Sequence, residues 1–311
     1  MRAIVLKKNG NANQLKYTEL PLPQLKEGEV LVQAKAIGIN PIDLKTKNRK
    51  GIYSILQNEN PLILGWELSG VVTQSRSEKF VEGDEVFGLI NFPGHGKTYA
   101  EYVACPTAHL VKKPSNRSHF EAAATSLAGL TAYQSLVHLG GLKSGQKILI
   151  HAASGGVGHF AVQIAKHLGA YVAGTSSEKN REFLLGLGAD KHLDYKTDAL
   201  EKDHKDYDVV LDTIGGNTID RSIPLIKKEG VLISIPSGKN NAVTEKATKN
   251  GIKGLKFTVK SDENDMKVIA DYLQQGILKP HISKIVEFDA MEEAHTQIAS
   301  GHTVGKVIVR L

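Results

Sequence analysis

Hydrophobic and polar positions follow two different rhythms along the chain. In the first part, Gly28-Glu29-Val30-Leu31-Val32-Gln33-Ala34-Lys35-Ala36-Ile37 alternates apolar and polar side chains, the mark of a half-buried strand. Residues 1–8 also read as a strand, and Val71-Val72 and Glu85-Val86-Phe87-Gly88 give short strands broken by Gly-Asp and Pro-Gly turns. This part predicts an irregular barrel of short strands. After Pro114 the rhythm changes. Ser118 is placed to cap a helix with Glu121 at its third position, a capping box, and an alanine-rich helical stretch runs on through Tyr133.

From residue 147 onward, apolar strands alternate with amphipathic helices. Strands are predicted at 147–151, 171–174, 208–212 and 230–235, with helices at 160–166 and 180–187. Continuous apolar strands between amphipathic helices indicate a parallel sheet covered on both faces. Near Phe257 this rhythm stops. Helices at 266–274 and 291–299 and strands at 285–288 and 305–309 resemble the first part in style. The expected architecture is α/β: a Rossmann-type domain, residues 120–257, inserted in a β-barrel domain built from residues 1–119 and 258–311.

Composition narrows the classes open to such a chain. At 311 residues it is long enough for about two domains, and 41% hydrophobic with 23% charged residues is ordinary for a globular protein. No apolar run approaches the roughly 18 to 20 residues needed to cross a bilayer, and no secretory signal is recognisable, so a cytoplasmic location is expected. One cysteine, Cys105, excludes an intrachain disulfide and a cysteine-rich zinc site, and it reads as a small buried hydrophobe. The net charge of +6 suits an anionic ligand. The basic residues are scattered, and even the run Lys45-Thr46-Lys47-Asn48-Arg49-Lys50 reads as a solvated face rather than a nucleic-acid groove.

The candidate chemistry begins at Ala153-Ser154-Gly155-Gly156-Val157-Gly158, between a predicted strand and a predicted helix. Glycine at 155 lets the backbone approach a pyrophosphate, and glycine at 158 lets the helix pack closely on the strand. The helix N-terminus then offers unpaired amides to the anion. Alanine at 153 departs from the usual first glycine. About twenty residues on, NAD-binding proteins carry an acidic residue for the ribose hydroxyls. Here the loop reads Gly174-Thr175-Ser176-Ser177-Glu178-Lys179-Asn180-Arg181, whose hydroxyls and cations suit a 2′-phosphate. The expected cofactor is NADPH.

Several segments together carry a family resemblance. They are Gly38-Ile39-Asn40-Pro41-Ile42-Asp43-Leu44-Lys45, Gly65-Trp66-Glu67-Leu68-Ser69-Gly70-Val71-Val72 and Val81-Glu82-Gly83-Asp84-Glu85-Val86. Residues 122–132, the glycine turn, Leu187-Gly188-Ala189-Asp190 with Asp194-Tyr195, and Gly301-His302-x-x-Gly305-Lys306-Val307 complete the set. In these segments the chain resembles the zinc-independent medium-chain dehydrogenases/reductases, in the quinone oxidoreductase and enone (2-alkenal) reductase branch. The resemblance implies a GroES-like barrel, an inserted Rossmann domain, and a cleft where nicotinamide meets substrate. It implies that Ser176, Ser177, Lys179, Asn180 and Tyr195 hold the 2′-phosphate end, and that Ser154, Gly155, Gly156, Val157 and Gly158 lie under the pyrophosphate. It further implies cofactor contacts from Thr131, Ile235, Phe257 and Lys306, and self-association as a homodimer or homotetramer.

Zinc-dependent relatives carry a cysteine where Asn40 stands and a histidine where Trp66 stands, so metal-free hydride transfer is expected. Most of the twelve histidines are expected at the surface. Candidate catalytic residues are Asn40, Asp43, Lys45 and Tyr53, acting on a small electrophilic carbonyl, a quinone or an enone. Each has a plainer reading; Asp43, for one, can cap a helix whose first turn is Leu44-Lys45-Thr46. Two other functions stay open: an enoyl-thioester reductase, and a non-catalytic protein that senses NADPH and binds nucleic acid or a partner.

Overall fold

The computed structural model describes residues 1–9, 12–197, 200 and 205–311, and the chain divides into two compact units. The first comprises Met1–Leu130 with Lys260–Leu311, and the second is Thr131–Val259.

The first unit opens with an antiparallel hairpin, β1 (Arg2–Asn9) and β2 (Ala12–Glu19). Its main sheet centres on β3 (Glu29–Ile39), which bonds to β4 (Glu67–Ser75), β6 (Tyr102–Pro106) and the C-terminal strand β15 (Lys306–Arg310). β5 (Glu85–Leu89) and β7 (Leu110–Lys112) extend one side, and β14 (Ile282–Glu287) runs parallel to β15 on the other. Register shifts at Leu31/Val32 and Ala34/Ala36 bend β3 and let it share partners, as bulges do in closing small barrels. Helix α1 (Pro41–Lys47) follows β3 directly, and the short α2 (Tyr53–Leu56) comes next.

The second unit is a six-stranded parallel sheet. Its strands are β8 (Lys147–Ile150), β9 (Tyr171–Ser176), β10 (Lys191–Asp194), β11 (Tyr207–Asp212), β12 (Ile226–Ser234) and β13 (Lys253–Lys256). The spatial order is β10-β9-β8-β11-β12-β13, so the order reverses between β8 and β11. That is the doubly wound dinucleotide-binding order, with its switch point at β8/β11. Helix α4 (Gly158–His167) joins β8 to β9, and α5 (Arg181–Gly186) joins β9 to β10. A core of Leu149, Ala173, Leu193, Val210, Ile219, Leu232 and Val243 covers the sheet.

The units divide at 130/131 and 259/260 rather than at 119/120 and 257/258. The cause lies in α3 (His119–Tyr133), whose Ala123 and Ala124 pack with Ala36 and Ile308 of the barrel. Its capping box forms as expected: Ser118 N–H donates to Glu121 Oε2 at 2.9 Å, and Glu121 N–H to Ser118 Oγ at 3.2 Å. Strands β10 and β13 escaped the sequence pattern because both lie at sheet edges. Their sequences, KHLD and KGLK, lack the apolar run of a central strand.

The histidines also differ from expectation. Among the described residues His151, His159, His192 and His295 are buried, and only His138, His167, His281 and His302 are exposed. His204 lies outside the described residues. Each buried ring finds a polar neighbour: Thr175 and Ser222 for His151, Gly155 O for His159, Ser176 for His192 and Tyr99 for His295. Cys105 is buried, and burial raises its thiol pKa far above the usual range, which leaves it an inert core residue. No helix among the described residues is long and apolar enough to cross a membrane.

Candidate functional site

The glycine turn starts where β8 ends. Ala152 takes a left-handed conformation, φ 47°, held because its N–H donates to Thr175 Oγ1 at 3.1 Å. Ala153 N–H donates to Thr175 O at 2.8 Å, and Gly155 N–H to Ala152 O at 2.9 Å. A Cβ on Gly158 would stand 2.6 Å from Ala153 Cα, so only glycine lets α4 begin so near the strand. The alanine at 153 is accommodated by a second glycine. Its methyl is fully buried and occupies the space beside Gly174, where a Cβ would come within 2.7 Å of it. Gly155, Gly156 and Val157 are half-exposed, so the turn leading into α4 lies open to a ligand. This close-packed glycine cradle at the switch point fits a pyrophosphate.

The loop after β9 is tied to that turn. Asn180 Nδ2 donates to Ser154 Oγ at 3.2 Å and to Ser177 Oγ at 3.4 Å. Tyr195, 45% exposed, follows β10 with its N–H on Ser176 O. Lys179 is exposed and makes no ion pair with any described residue. Glu178, the acid in this loop, lies 3.6 Å from His192 Nδ1 and 3.8 Å from Arg181. Ser177, Lys179, Asn180 and Tyr195 therefore gather at the C-terminal ends of β9 and β10. Ile235 and Phe257 continue β12 and β13 at the C-terminal end of the same sheet, through N–H bonds to Asp212 O and Ser234 O. Thr131 is buried within α3.

Sequence reasoning passed over Asp212, which is fully buried. It accepts from the Ile214 and Gly215 amides and from Ser234 Oγ, and so shapes the turn after β11. The Asp-Thr-Ile-Gly-Gly run carried that signal, an Asx turn closing a parallel strand.

In the first unit the expected catalytic residues separate. Asn40 is 4% exposed, and its Nδ2 donates to Glu67 Oε1 at 2.8 Å. Lys306, expected to touch cofactor, is instead 2% exposed in the barrel, with Nζ 2.6 Å from Glu67 Oε1 and 2.5 Å from Asn40 Oδ1. A charge buried this deeply needs its counter-charge, and Glu67 supplies it. Gly38 makes the room: a Cβ there would run into the Glu67 carboxylate. The other carboxylate oxygen of Glu67 accepts Leu127 N–H at 2.6 Å, binding α3 to the barrel.

Asp43 does not face a substrate either. It is fully buried at the third position of α1, which begins at Pro41 rather than Leu44, and Oδ2 accepts Asn40 N–H at 2.7 Å. Burial, reinforced by the Glu67 charge, lifts its pKa to about 7. Tyr99, raised well above the usual phenol value by burial, approaches Asp43 and bonds His295 Nε2 at 2.9 Å. Burial lowers the His295 pKa to about 4. Lys45 and Tyr53 keep partial exposure, Tyr53 beneath the Arg49 guanidinium at 6.0 Å.

A catalytic zinc does not fit the described residues of the first unit. Trp66 is 1% exposed with Nε1–H given to Gly94 O at 2.6 Å, and the Glu67 carboxylate already holds the Lys306 ammonium.

Known proteins match this architecture. The alcohol dehydrogenase GroES-like domain model matches residues 26–115, and the zinc-binding dehydrogenase model matches residues 187–309. The chain is 34% identical to the chloroplast envelope quinone oxidoreductase homolog of Arabidopsis thaliana, over 96% of this chain and 95% of that protein. It is 31% identical to the NADPH-dependent alkenal/one oxidoreductase of the same plant, over 99% of this chain and 79% of that one. The quinone oxidoreductase structure from Coxiella burnetii superposes with TM-score 0.93 at 32% identity, covering 100% and 99% of the two chains. The Escherichia coli quinone oxidoreductase, solved with NADPH, gives 0.89 at 26% identity, covering 100% of each. With its doubly wound sheet, its close-packed glycine turn and a barrel whose zinc-ligand positions hold Asn40 and Trp66, the chain belongs to the zinc-independent medium-chain dehydrogenases/reductases, in the quinone oxidoreductase and enone reductase branch.

Proposed function

We propose that this protein is an NADPH-dependent oxidoreductase that transfers hydride to a quinone or an α,β-unsaturated carbonyl. One observation carries the reading: the Ser154–Asn180–Ser177 bonds join the pyrophosphate turn to a hydroxyl- and cation-bearing loop at the switch-point edge of the sheet. Relatives named as quinone and alkenal/one oxidoreductases support the substrate class. NADPH supplies the hydride when bound. The chain contributes the cradle: α4 amides and Gly158 for the pyrophosphate, and Ser177, Lys179, Asn180 and Tyr195 for the 2′-phosphate. Among the barrel candidates, Lys45 and Tyr53 retain the exposure needed to meet a substrate oxygen. Asn40 acts from behind, holding Lys306 and Glu67 in place. Among the described residues no strand pairs with the outer edge of β13, which supports self-association as a homodimer or homotetramer, to be read by sedimentation.

The test is NADPH oxidation, followed by nicotinamide absorbance, against a panel of quinones, alkenals and enoyl thioesters, repeated with NADH. Turnover of a quinone or alkenal with NADPH ahead of NADH is expected. Exclusive use of the thioesters would move the substrate class to an enoyl-thioester reductase. NADPH binding with no acceptor reduced would overturn the enzyme reading in favour of a sensor. Turnover with NADH equal to or better than NADPH would overturn the role of Ser177 and Lys179.

A further inference from the structure

The first unit holds a cavity whose lining includes none of the residues assigned to hydride transfer or to the cofactor. Its volume is about 480 Å³, within the range of small-molecule pockets. Leu20, Pro21, Leu22, Pro23, Ile63 and Val103 supply apolar surface to it. Residues 20–26 form neither helix nor strand, and the fixed φ of Pro21 and Pro23 stiffens that stretch.

The loop at 91–97, which also lines the cavity, is held by its own bonds. Trp66 Nε1–H donates to Gly94 O at 2.6 Å, and Asn91 Nδ2 donates to His95 O at 3.3 Å. The His95 ring lies 2.9 Å from Ile63 O through Nε2 and 2.9 Å from Glu59 Oε2 through Nδ1. Burial lowers its pKa and the nearby Lys97 charge adds to this, so the ring is neutral at pH 7. Walls fixed before a ligand arrives lose little freedom on binding.

Among the lining side chains two are cations, Lys26 and Lys97, and one is an acid, Glu29. Neither lysine forms an ion pair with a described residue. The Glu29 carboxylate is engaged by backbone, Oε2 accepting Lys26 N–H at 2.9 Å. The Met1 amino group is likewise taken up, by Leu20 O at 2.7 Å and by Glu19. Asn91 and Lys97 both hold left-handed backbone, φ 52° and 60°. Side chains adopt that conformation at a cost, and residues so held gather where loops grip ligands.

Apolar walls with one net positive charge match an apolar body that carries a single negative charge. A phosphate brings nearly two charges and three acceptor oxygens, and the lining has no arginine and no helix start to meet them. We infer that this cavity is a second binding site, which takes a small amphipathic monocarboxylate with its chain on the leucines and prolines and its carboxylate at Lys26 and Lys97. The site lies wholly within the barrel unit and stands independently of the NADPH reading.

Ligand-observed NMR titration of the full-length protein tests the inference, with octanoate as the probe and octanamide as its uncharged match. Octanoate is expected to bind with a Kd of about 0.1–5 mM, the weak range proper to so small a ligand. Octanamide is expected to bind about fivefold or more weaker. Lys26→Gln and Lys97→Asn should each weaken octanoate about two- to fivefold and leave octanamide unchanged. Both positions are exposed, and asparagine tolerates the left-handed backbone at 97, so neither change threatens the fold. Leu22→Asp, at a side chain 47% exposed, should weaken both probes. Absence of octanoate binding across that range, or octanamide binding as tightly as octanoate, would overturn the inference. Octanoate binding that none of the three variants weakens would place the ligand elsewhere and overturn it equally.

Discussion

Asp43 and His295 flank the Tyr99 hydroxyl in the barrel interior, and their pKa values move in opposite directions, to about 7 and to about 4. The folded state thus keeps a proton on Asp43 that the unfolded chain releases above its ordinary value near 3.8, which costs stability as pH rises toward 7. For His295 the sign is reversed: below 6.5 the unfolded chain gains a proton that the folded state refuses until about pH 4, so stability falls on acidification. The two slopes oppose each other between about pH 4 and 6.5. Asp43→Asn keeps an acceptor for the Asn40 amide and removes one slope. Urea titrations of that variant are expected to show stability rising with pH across this window more steeply than in the wild type, and an unchanged slope would refute the assignment. For the Lys306–Glu67 pair, Glu67→Gln or Lys306→Met alone is expected to cost about 3–5 kcal/mol, because each strands a buried charge or its hydrogen-bond partners. The double variant should recover part of that loss in a double-mutant cycle. Gly158→Ala is expected to destabilise by about 1–3 kcal/mol through overpacking and to weaken NADPH binding. Gly186→Ala, with open space at its Cβ position, should be neutral or slightly stabilising by the same denaturation measurement.

At the scale of elements, legibility followed burial. The capping box at Ser118 and Glu121 and the strands β8, β9, β11 and β12 could be read because local chemistry and apolar runs agree there. Ser118→Ala is expected to cost about 1 kcal/mol, measured by chemical denaturation, since it removes one of the two reciprocal bonds. The edge strands β10 and β13 carry too few apolar residues to announce themselves. Missing β10 meant missing His192, which the polar string Lys191-His192-Leu193-Asp194 gives no reason to bury. The loop after β9 was legible as a loop because glycine, serine and asparagine cluster at that strand end. The barrel residues were not: Asn40, Asp43 and Lys306 are polar types that suggest contact with a ligand, and only their tertiary partners, Glu67, Tyr99 and His295, show them turned inward. Nothing in the local sequence links position 306 to position 67.

Over the whole molecule, the nucleotide-binding unit is one continuous stretch, Thr131–Val259, while the barrel is assembled from both flanking segments. A ligand that binds only the folded second unit stabilises it by mass action. NADPH at 100 times its dissociation constant is expected to add about 2.7 kcal/mol, read as a rise in Tm. NADH at the same concentration should add less if the 2′-phosphate loop discriminates, and equal shifts would argue against that loop. The pairing of β3 with β15 has a consequence during synthesis. Ala36, Ile37 and Ile39 pair with Arg310, Val309 and Val307, residues made about 270 positions later in the chain. At about 5–20 residues per second, that edge of β3 waits on the order of ten seconds to a minute for its partner to leave the ribosome. The continuous Rossmann stretch can complete its sheet within that interval. The nascent barrel meanwhile offers an open, apolar strand edge to chaperones, or to another chain in the same condition.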